Sequence, residues 1–565
     1  MFRTPELAPG LEFISQGQPS AQRSDIKAPL LDINIHDKRA SEKYIFASPQ
    51  SPCYQSGPTI YDARGELIWS GAADGFASGA YAFHACDYQG STAAHLCMVH
   101  SATMFGNGCG LGLILDASYR IVRVIQLPGG TDMHEFSLVD HGTRALVTQY
   151  PVRHHDFAHA FNPQGLQTVY ESVFIELDLW TEGGSDVDAV TYRWNSLDHV
   201  KVKDAARSID FKAGKAPHYD YFHINSVAKN ANGDYLVCAR HTSAVYKVSG
   251  VDGSIIWTLS SGPESDFQLV DFVLWGPHHA QWRSASVNDS HTVLTLFNNG
   301  RDGPTSRTNY SSGMVIALDH ESSRVLSDPP NSNVLLGWGS QPHITEHLED
   351  GTLVFHASIA GGGSTYRVSK SDWVGRPSDA PALWSYARTA EDQGSPTVFY
   401  VSWNGATEVY TWNFYAVGDR AEDIDSLRVL GSKQRTSFET NFTITEYVPR
   451  SFVEAVARDG RLLGNSSVVP TWVPGDHISE WCDDWVCPER ESEFRVRYNT
   501  LPDLRRLPAP DDGIGEFTKP YLGSQNYTDY PEVAFVILNG LISGTVLSNA
   551  EPEEIDSARP IGQRS

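Results

Sequence analysis

Four histidine neighbourhoods carry the residue types in this chain that could do chemistry. They are Asp132-Met133-His134-Glu135-Phe136, His223 with Asn225, Arg240-His241, and His278-His279-Ala280-Gln281-Trp282. A neutral imidazole, with a reference pKa of about 6.5, is a nucleophile or a base near neutral pH. An arginine such as Arg240 keeps its positive charge throughout the same range. Together these groups suit attack on an anionic group and stabilisation of the charge that develops on it. Metal binding is the rival use of clustered histidines. The pairs His155 with His159 and His343 with His347 have a spacing that aligns two ligands only on a helix, and neither segment is patterned as one. Arg240 would repel a cation from the central group, so no metal is expected.

The elements that must position these residues are strands. Asp220 to Ser226, a turn at Asn232-Gly233-Asp234 and a second run ending in Cys238-Ala239-Arg240-His241 read as a hairpin. Strand alternation puts His223 and Asn225 on one face and Phe222 and Ile224 on the other, with Arg240 arriving from the partner strand. From Tyr44 onward, runs such as YIFASP, HLCMVHS and VFIELDLW alternate with turn residues and never settle into helical periodicity. The expected class is therefore all-β.

An internal rhyme recurs: a hydrophobic strand ending in Asp, a turn, then a second strand. It appears at Ile60 to Trp69, at Tyr246 to Trp257 and again from Met314. Recurrence at tens of residues is the mark of radially repeated sheets, so a β-propeller is expected, with a sandwich as the runner-up. Residues 1–40 read as an extended arm, 41–390 as the propeller, 391–469 as a β-rich segment that closes it or packs on it, and 470–565 as an extension. The glycine-rich run Gly106 to Gly112 resembles a phosphate loop, but no helix pattern or lysine follows, so a cluster of β-turns is expected there.

The 68 acidic against 43 basic residues, a formal charge of −25, argue against nucleic acid or an anionic membrane surface as partner. An anionic substrate then needs a local basic pocket. Val533 to Leu547 is the one apolar run of note, and it is short for a membrane span. Membrane contact through it is the lesser reading beside a buried element. Cys482 and Cys487 read as a local disulfide. Sequons begin at Asn288, Asn309, Asn441, Asn465 and Asn526 and favour the secretory pathway or an extracellular setting, although the first residues do not have a signal-peptide pattern. Nothing in the sequence speaks to oligomeric state.

The ordered series DMHEF, SLDHV at Ser196 to Val200, DYFHINSV, ARHTSAVYKV, GSIIWTL, Leu296-Phe297-Asn298-Asn299-Gly300, Gly337-Trp338-Gly339-Ser340 and SWNGATEV at Ser402 to Val409 resembles the arylsulfotransferase-like β-propellers. The likeness covers about residues 45 to 465, and the resemblance is to the branch common in filamentous fungi. It implies a six-bladed propeller and transfer of a sulfuryl group between phenolic compounds without a nucleotide cofactor, through a covalent histidine. By motif the nucleophile is His279. The resemblance gives His223, Asn225 and Arg240 the sulfuryl oxygens and has His134 complete the site. His241, His278, Asn298, Asn299 and Trp282 then line the substrate's side of it. Two other readings share the pocket: a cyclase, lyase or isomerase of a small metabolite using the same groups for acid-base work, and a non-catalytic ligand-binding propeller. The last is favoured if Trp282 or Phe83 fills the centre.

Overall fold

The computed structural model describes residues 2–3 and 23–475 except 24, 51–52, 92, 105–106, 158–166, 181–188, 207–217, 284–290, 301–306, 328–332, 391–394 and 419–426. Cys482, Cys487 and the run Val533 to Leu547 lie outside the described residues. The chain is all-β, as expected.

Five four-stranded antiparallel sheets and one five-stranded sheet follow one another in chain order. The first is built from Tyr44–Gln50, Thr59–Tyr61 and Leu67–Ser70, with Ser364–Ser371 returning from far along the chain as its inner strand. Inner strands of the second to sixth sheets are Ala80–Cys86, Phe136–Val139, Ile224–Lys229, Pro277–Trp282 and Val334–Gly337. The three rhyming segments are the outer hairpins of the first, fourth and fifth sheets. Leu31–His36, within the stretch read as an arm, is extended and pairs along Leu353–Ile359, which covers the edge of the sixth sheet. Phe2–Arg3 similarly pairs with Ser312 and Gly313 in the fifth.

Each sheet is sandwiched between its neighbours. An antiparallel sheet with one wet face shows alternating burial. Here Tyr235–Ala239 and Leu67–Ser70 are buried at every position, which is why the sequence reads YLVCA and LIWS as unbroken apolar runs. Apolar clusters fill each junction: Trp69 and Phe83 between the first and second sheets, Val99 and Val147 between the second and third, and Phe174 and Tyr235 between the third and fourth. Leu236 and Leu294 join the fourth to the fifth, Phe297 and Trp338 the fifth to the sixth, and Phe355 and Ile45 the sixth to the first. Each fully buried large side chain contributes roughly 1.5–3 kcal/mol. Buried carboxylates add directional ties, Glu176 to Lys229 at 2.8 Å and Glu346 to Lys370 at 2.7 Å.

Two more sheets, containing Ala382–Tyr386, Thr397–Ser402 and Glu439–Ile444 in one and Val409–Ala416 and Arg450–Ala457 in the other, enclose Phe399, Phe414 and Val453. They dock through Asn404, whose amide spans the Ser70 backbone, and through Gly405, whose carbonyl accepts from Tyr119 Oη at 2.7 Å.

Several finer expectations meet specific departures. The glycine run lies in a strand, Asn107–Leu115, rather than in turns. A Cβ on Gly110 would lie 2.2 Å from the His100 carbonyl oxygen, so glycine is needed for close strand approach. A disulfide joins Cys86 to Cys97 across the second sheet. No helix among the described residues is long and apolar enough to cross a membrane.

His343 and His347 sit on a strand, not a helix, and share a face with His356 from the next strand. His343 Nδ1 is 3.2 Å from His356 Nε2. Burial holds His343 and His347 below the usual histidine range, and burial with the two neighbouring rings pushes His356 down to about 4. The unfolded chain titrates these groups near 6.5, so between about pH 6.5 and 4 it binds more protons than the folded chain. Stability is therefore expected to fall as pH drops through that window. Thermal unfolding of a His356→Gln variant should show a shallower loss than the parent, and identical pH slopes would refute the assignment.

Candidate functional site

The inner strands of the first, fourth and fifth sheets and the segment leading into the third meet at one place. Local irregularity aims their side chains there. Strand register slips between Tyr81 and His84, Ile224 and Ser226, His278 and Gln281, and Thr365 and Val368. Such bulges re-aim side chains at functional sites. Ala82, His223 and His279 also have positive φ values of 50°, 57° and 50°. That conformation costs roughly 1–3 kcal/mol in a residue other than glycine, and histidine is among the types that adopt it more readily. As expected, Phe222 and Ile224 fill the core, but the polar face is irregular: His223 precedes the strand, which begins at Ile224, and Asn225 sits in the register slip.

Two histidines are held by carboxylates. His134 Nδ1 lies 2.6 Å from Asp132 Oδ1, and that carboxylate also accepts from the backbone of His134 and Gly108 and from Thr148. His223 Nδ1 lies 2.5 Å from Asp220 Oδ2. An imidazole whose Nδ1–H donates to a carboxylate presents Nε2 as the lone pair. The two rings meet edge to face, with centroids 4.8 Å apart. His241 lies 4.5 Å from His223 by ring centroid and donates from Nδ1 to the Asp220 carbonyl at 2.6 Å. Burial raises the Asp220 pKa against the pull of His241, His134 and Arg240. Arg240 follows the partner strand, its amide donating to the His223 carbonyl, and its guanidinium is within electrostatic reach of Asp220 and Tyr366.

His278 and His279 diverge. Burial first, then the charge of Arg240, press the His278 pKa well below its ordinary value, with His223 and His134 as further neighbours. His279 is depressed by burial and then by Arg367 and His84. By surface area His279 is nonetheless an exposed residue. The structure thus brings His134, His223, Arg240, His241 and His278 together and sets His279 beside Arg367 and His84. Asn299 Nδ2 donates to the Gly276 carbonyl at 2.9 Å and stands 3.0 Å from His278 Nδ1, which is itself 3.0 Å from the same carbonyl. The tautomer with Nδ1–H directed to Gly276, rather than the one with Nδ1 accepting from Asn299, leaves the lone pair on His278 Nε2.

Other expected site residues are committed elsewhere. The Asn225 amide donates to the Pro277 carbonyl at 2.8 Å and accepts from the His279 amide at 3.2 Å, so it brackets His278 from behind. Asn298 holds the Val273 and Trp275 backbone. Trp282 donates to the Ala228 carbonyl and packs between the fourth and fifth sheets. Phe83 lies in the core between the first and second. Neither ring fills the centre. Asp132, Asp220, Tyr150, His84, Tyr366 and Arg367 belong to the centre although sequence reasoning did not select them. The spacings Asp-x-His and Asp-x-x-His were the available signals for the two carboxylates.

Replacing Asn225 with Ala leaves the Pro277 carbonyl and the His279 amide without their partner. About 1–3 kcal/mol of destabilisation is expected, together with a loss of activity larger than that of an Asn298→Ala control. Thermal unfolding and turnover measured on the same preparations check this, and equal activities in the two variants would contradict the bracketing role.

Asp220, His223 and His241 offer three ligand atoms within 4.8 Å of one another. Both imidazole Nδ1 atoms are already engaged, with the Asp220 carboxylate and its own carbonyl, and Arg240 is close by. The set fits a proton-sharing network better than a cation.

No curated protein matches the chain. Among solved structures it is similar to a protein of unknown function from Bacteroides caccae, at 11% identity over 58% of this chain and 98% of that one, with a TM-score of 0.33. A Synechocystis apocarotenoid oxygenase is similar at 10% identity over 56% and 70%, with a TM-score of 0.28. These likenesses are too slight to bear on function. Residues 95–329, the span that holds His134, His223, Asn225, Arg240, His278 and His279, match the arylsulfotransferase (ASST) family, and this match supports an arylsulfotransferase-like family for the chain.

Proposed function

We propose that the chain is an arylsulfotransferase-like enzyme on a six-bladed β-propeller of the fungal type, moving a sulfuryl group between phenolic compounds through a covalent histidine. The observation that carries this reading is the convergence of His278 with His134, His223 and Arg240 inside the family-matched span. His278 Nε2 attacks sulfur, the bond from sulfur to the aryl oxygen breaks, and the electron pair leaves on the phenolate. Arg240 offsets charge on the non-bridging oxygens, as in phosphoryl chemistry. An acceptor phenol then gives its proton to Nε2 of His134 or His223, attacks sulfur and releases His278. No nucleotide is needed. His279, which the motif alone favours, remains the competing nucleophile.

A second reading is favoured by one feature, the pair of carboxylate-held histidines, which equips the site for proton transfer in a cyclase, lyase or isomerase. Sulfur chemistry separates the two. The purified protein with 4-nitrophenyl sulfate and phenol should release nitrophenol, and quenched enzyme should carry one sulfuryl group, a gain of about 80 Da. Neither product nor adduct would reject the transferase and leave acid-base chemistry.

A further inference from the structure

We infer that Tyr366, on the strand that closes the first sheet, recognises the phenolic oxygen of the substrate by donating its hydroxyl proton in a hydrogen bond to the bridging oxygen of an aryl sulfate. The inference rests on the sulfuryl-transfer reading. Tyr366 lies beyond residues 95–329, so the family match assigns it nothing.

The strand Ser364–Ser371 pairs with Tyr44–Gln50, but the register jumps from Thr365 to Val368. Tyr366 and Arg367 are left opposite no partner, and both turn to the centre. Arg367 reaches Glu135 and the Asn225 carbonyl. The Tyr366 ring stands edge-on to two central histidines, with centroids 5.5 Å from His134 and 6.5 Å from His278. One aromatic side chain therefore bridges the nucleophile and a carboxylate-held histidine.

Among the described residues two phenols, Tyr150 and Tyr366, stand against His134, and the second has its hydroxyl to spare. Tyr150 donates to the Ile224 carbonyl. Among the described residues the Tyr366 hydroxyl has no hydrogen-bond partner, and it is within electrostatic reach of Arg240, Tyr150 and Arg367. Burial pushes its pKa up, which keeps the proton on oxygen at neutral pH. A donor that holds its proton fits the step. When His278 Nε2 bonds to sulfur and the sulfur to aryl-oxygen bond breaks, negative charge accumulates on the departing oxygen, and Tyr366 binds that charge without transferring its proton. A hydrogen bond that strengthens toward the transition state accelerates the reaction, by about 10²-fold for one preorganised donor. The benefit grows with leaving-group basicity.

The test compares wild type with Tyr366→Phe, which keeps the ring contact to His134, on phenyl sulfate and 4-nitrophenyl sulfate with a common acceptor. Phenol leaves as a far more basic anion than nitrophenol. The expected result is a fall in kcat/KM of about 10²-fold for phenyl sulfate and less than about 5-fold for 4-nitrophenyl sulfate, with an unchanged unfolding midpoint. Equal losses on both donors would mark Tyr366 as structural, and no loss on either would mark it as a bystander; each overturns the inference while leaving the transferase intact. A wild type that turns over neither ester sinks the transferase instead. Calorimetric binding of phenyl sulfate then decides the inference alone, with Tyr366→Phe expected to bind about 10-fold more weakly and equal affinity, or no binding by wild type, refuting it.

Discussion

A His278→Ala variant is expected to lose sulfuryl exchange by at least about 10⁴-fold and to gain no mass on incubation with the donor, because the atom proposed to form the covalent bond is gone. A His279→Ala variant should fall by less than about 10-fold, since His279 lies within electrostatic reach of Arg367 and His84 rather than of Arg240, and its fixed part is a backbone amide held by Asn225. The reverse pattern, an adduct retained in His278→Ala and lost in His279→Ala, would return the nucleophile to the residue that the motif alone selects. The depressed His278 pKa adds a second readout. The attacking form is the neutral ring, and lowering the pKa keeps the ring neutral further into acid. Donor consumption should therefore stay level from about pH 8 to 6, whereas a histidine with the ordinary value near 6.5 would have lost over half its neutral form by then. For the first step, measured in a single turnover without acceptor, a half-maximal point at or above about 6.5 would exclude His278 as the attacking nucleophile.

The divergence of two adjacent histidines shows where sequence reading stopped. Its reach was considerable: short strand-like runs set off by turn residues announced an all-β chain, the outer hairpins rhymed, and the rings of His134 and His223 lie edge to face with Arg240 near Asp220. All of these depend on composition and on spacing along one strand. What it missed depends on where strands depart from ideal pairing. A slip at His278 to Gln281 decides which of two histidines faces Arg240, and period-two alternation holds no information about it. Asn225 has the residue type of an oxyanion ligand, yet its amide is spent on the backbone of a neighbouring sheet, a contact set by how sheets stack. Trp282 was read as a wall of the pocket because it is large and near the histidines, but its indole completes a core between sheets. Tyr366 and Arg367 had no signal at all. They come from the return strand, in the unremarkable run STYRVSKS, and only closure brings them to the centre.

That closure makes Arg367→Met the substitution with the largest expected effect on stability. Arg367 belongs to the first sheet, its partner Glu135 to the segment entering the third, and the carbonyl it also binds, that of Asn225, to the fourth. The Nη2 to Oε2 distance is 3.1 Å, and Glu135, whose side chain is 2% exposed, accepts besides from the Val227 amide. Methionine fills much of the volume but leaves Glu135 charged and buried, which costs about 3–5 kcal/mol. Thermal unfolding should show a fall of several degrees. The double variant with Glu135→Gln removes the stranded charge and should recover most of the loss, whereas additive losses would mean that the pair is not coupled. Activity should follow a different course. In both variants the Asn225 carbonyl loses its guanidinium donor, so the bracket behind His278 loosens whether or not the charge is compensated. A double variant restored in stability but still impaired in turnover is the expected outcome, because the ion pair that ties the first sheet to the third also supports the Asn225 backbone behind His278, the proposed nucleophile. Full recovery of both would confine Arg367 to folding.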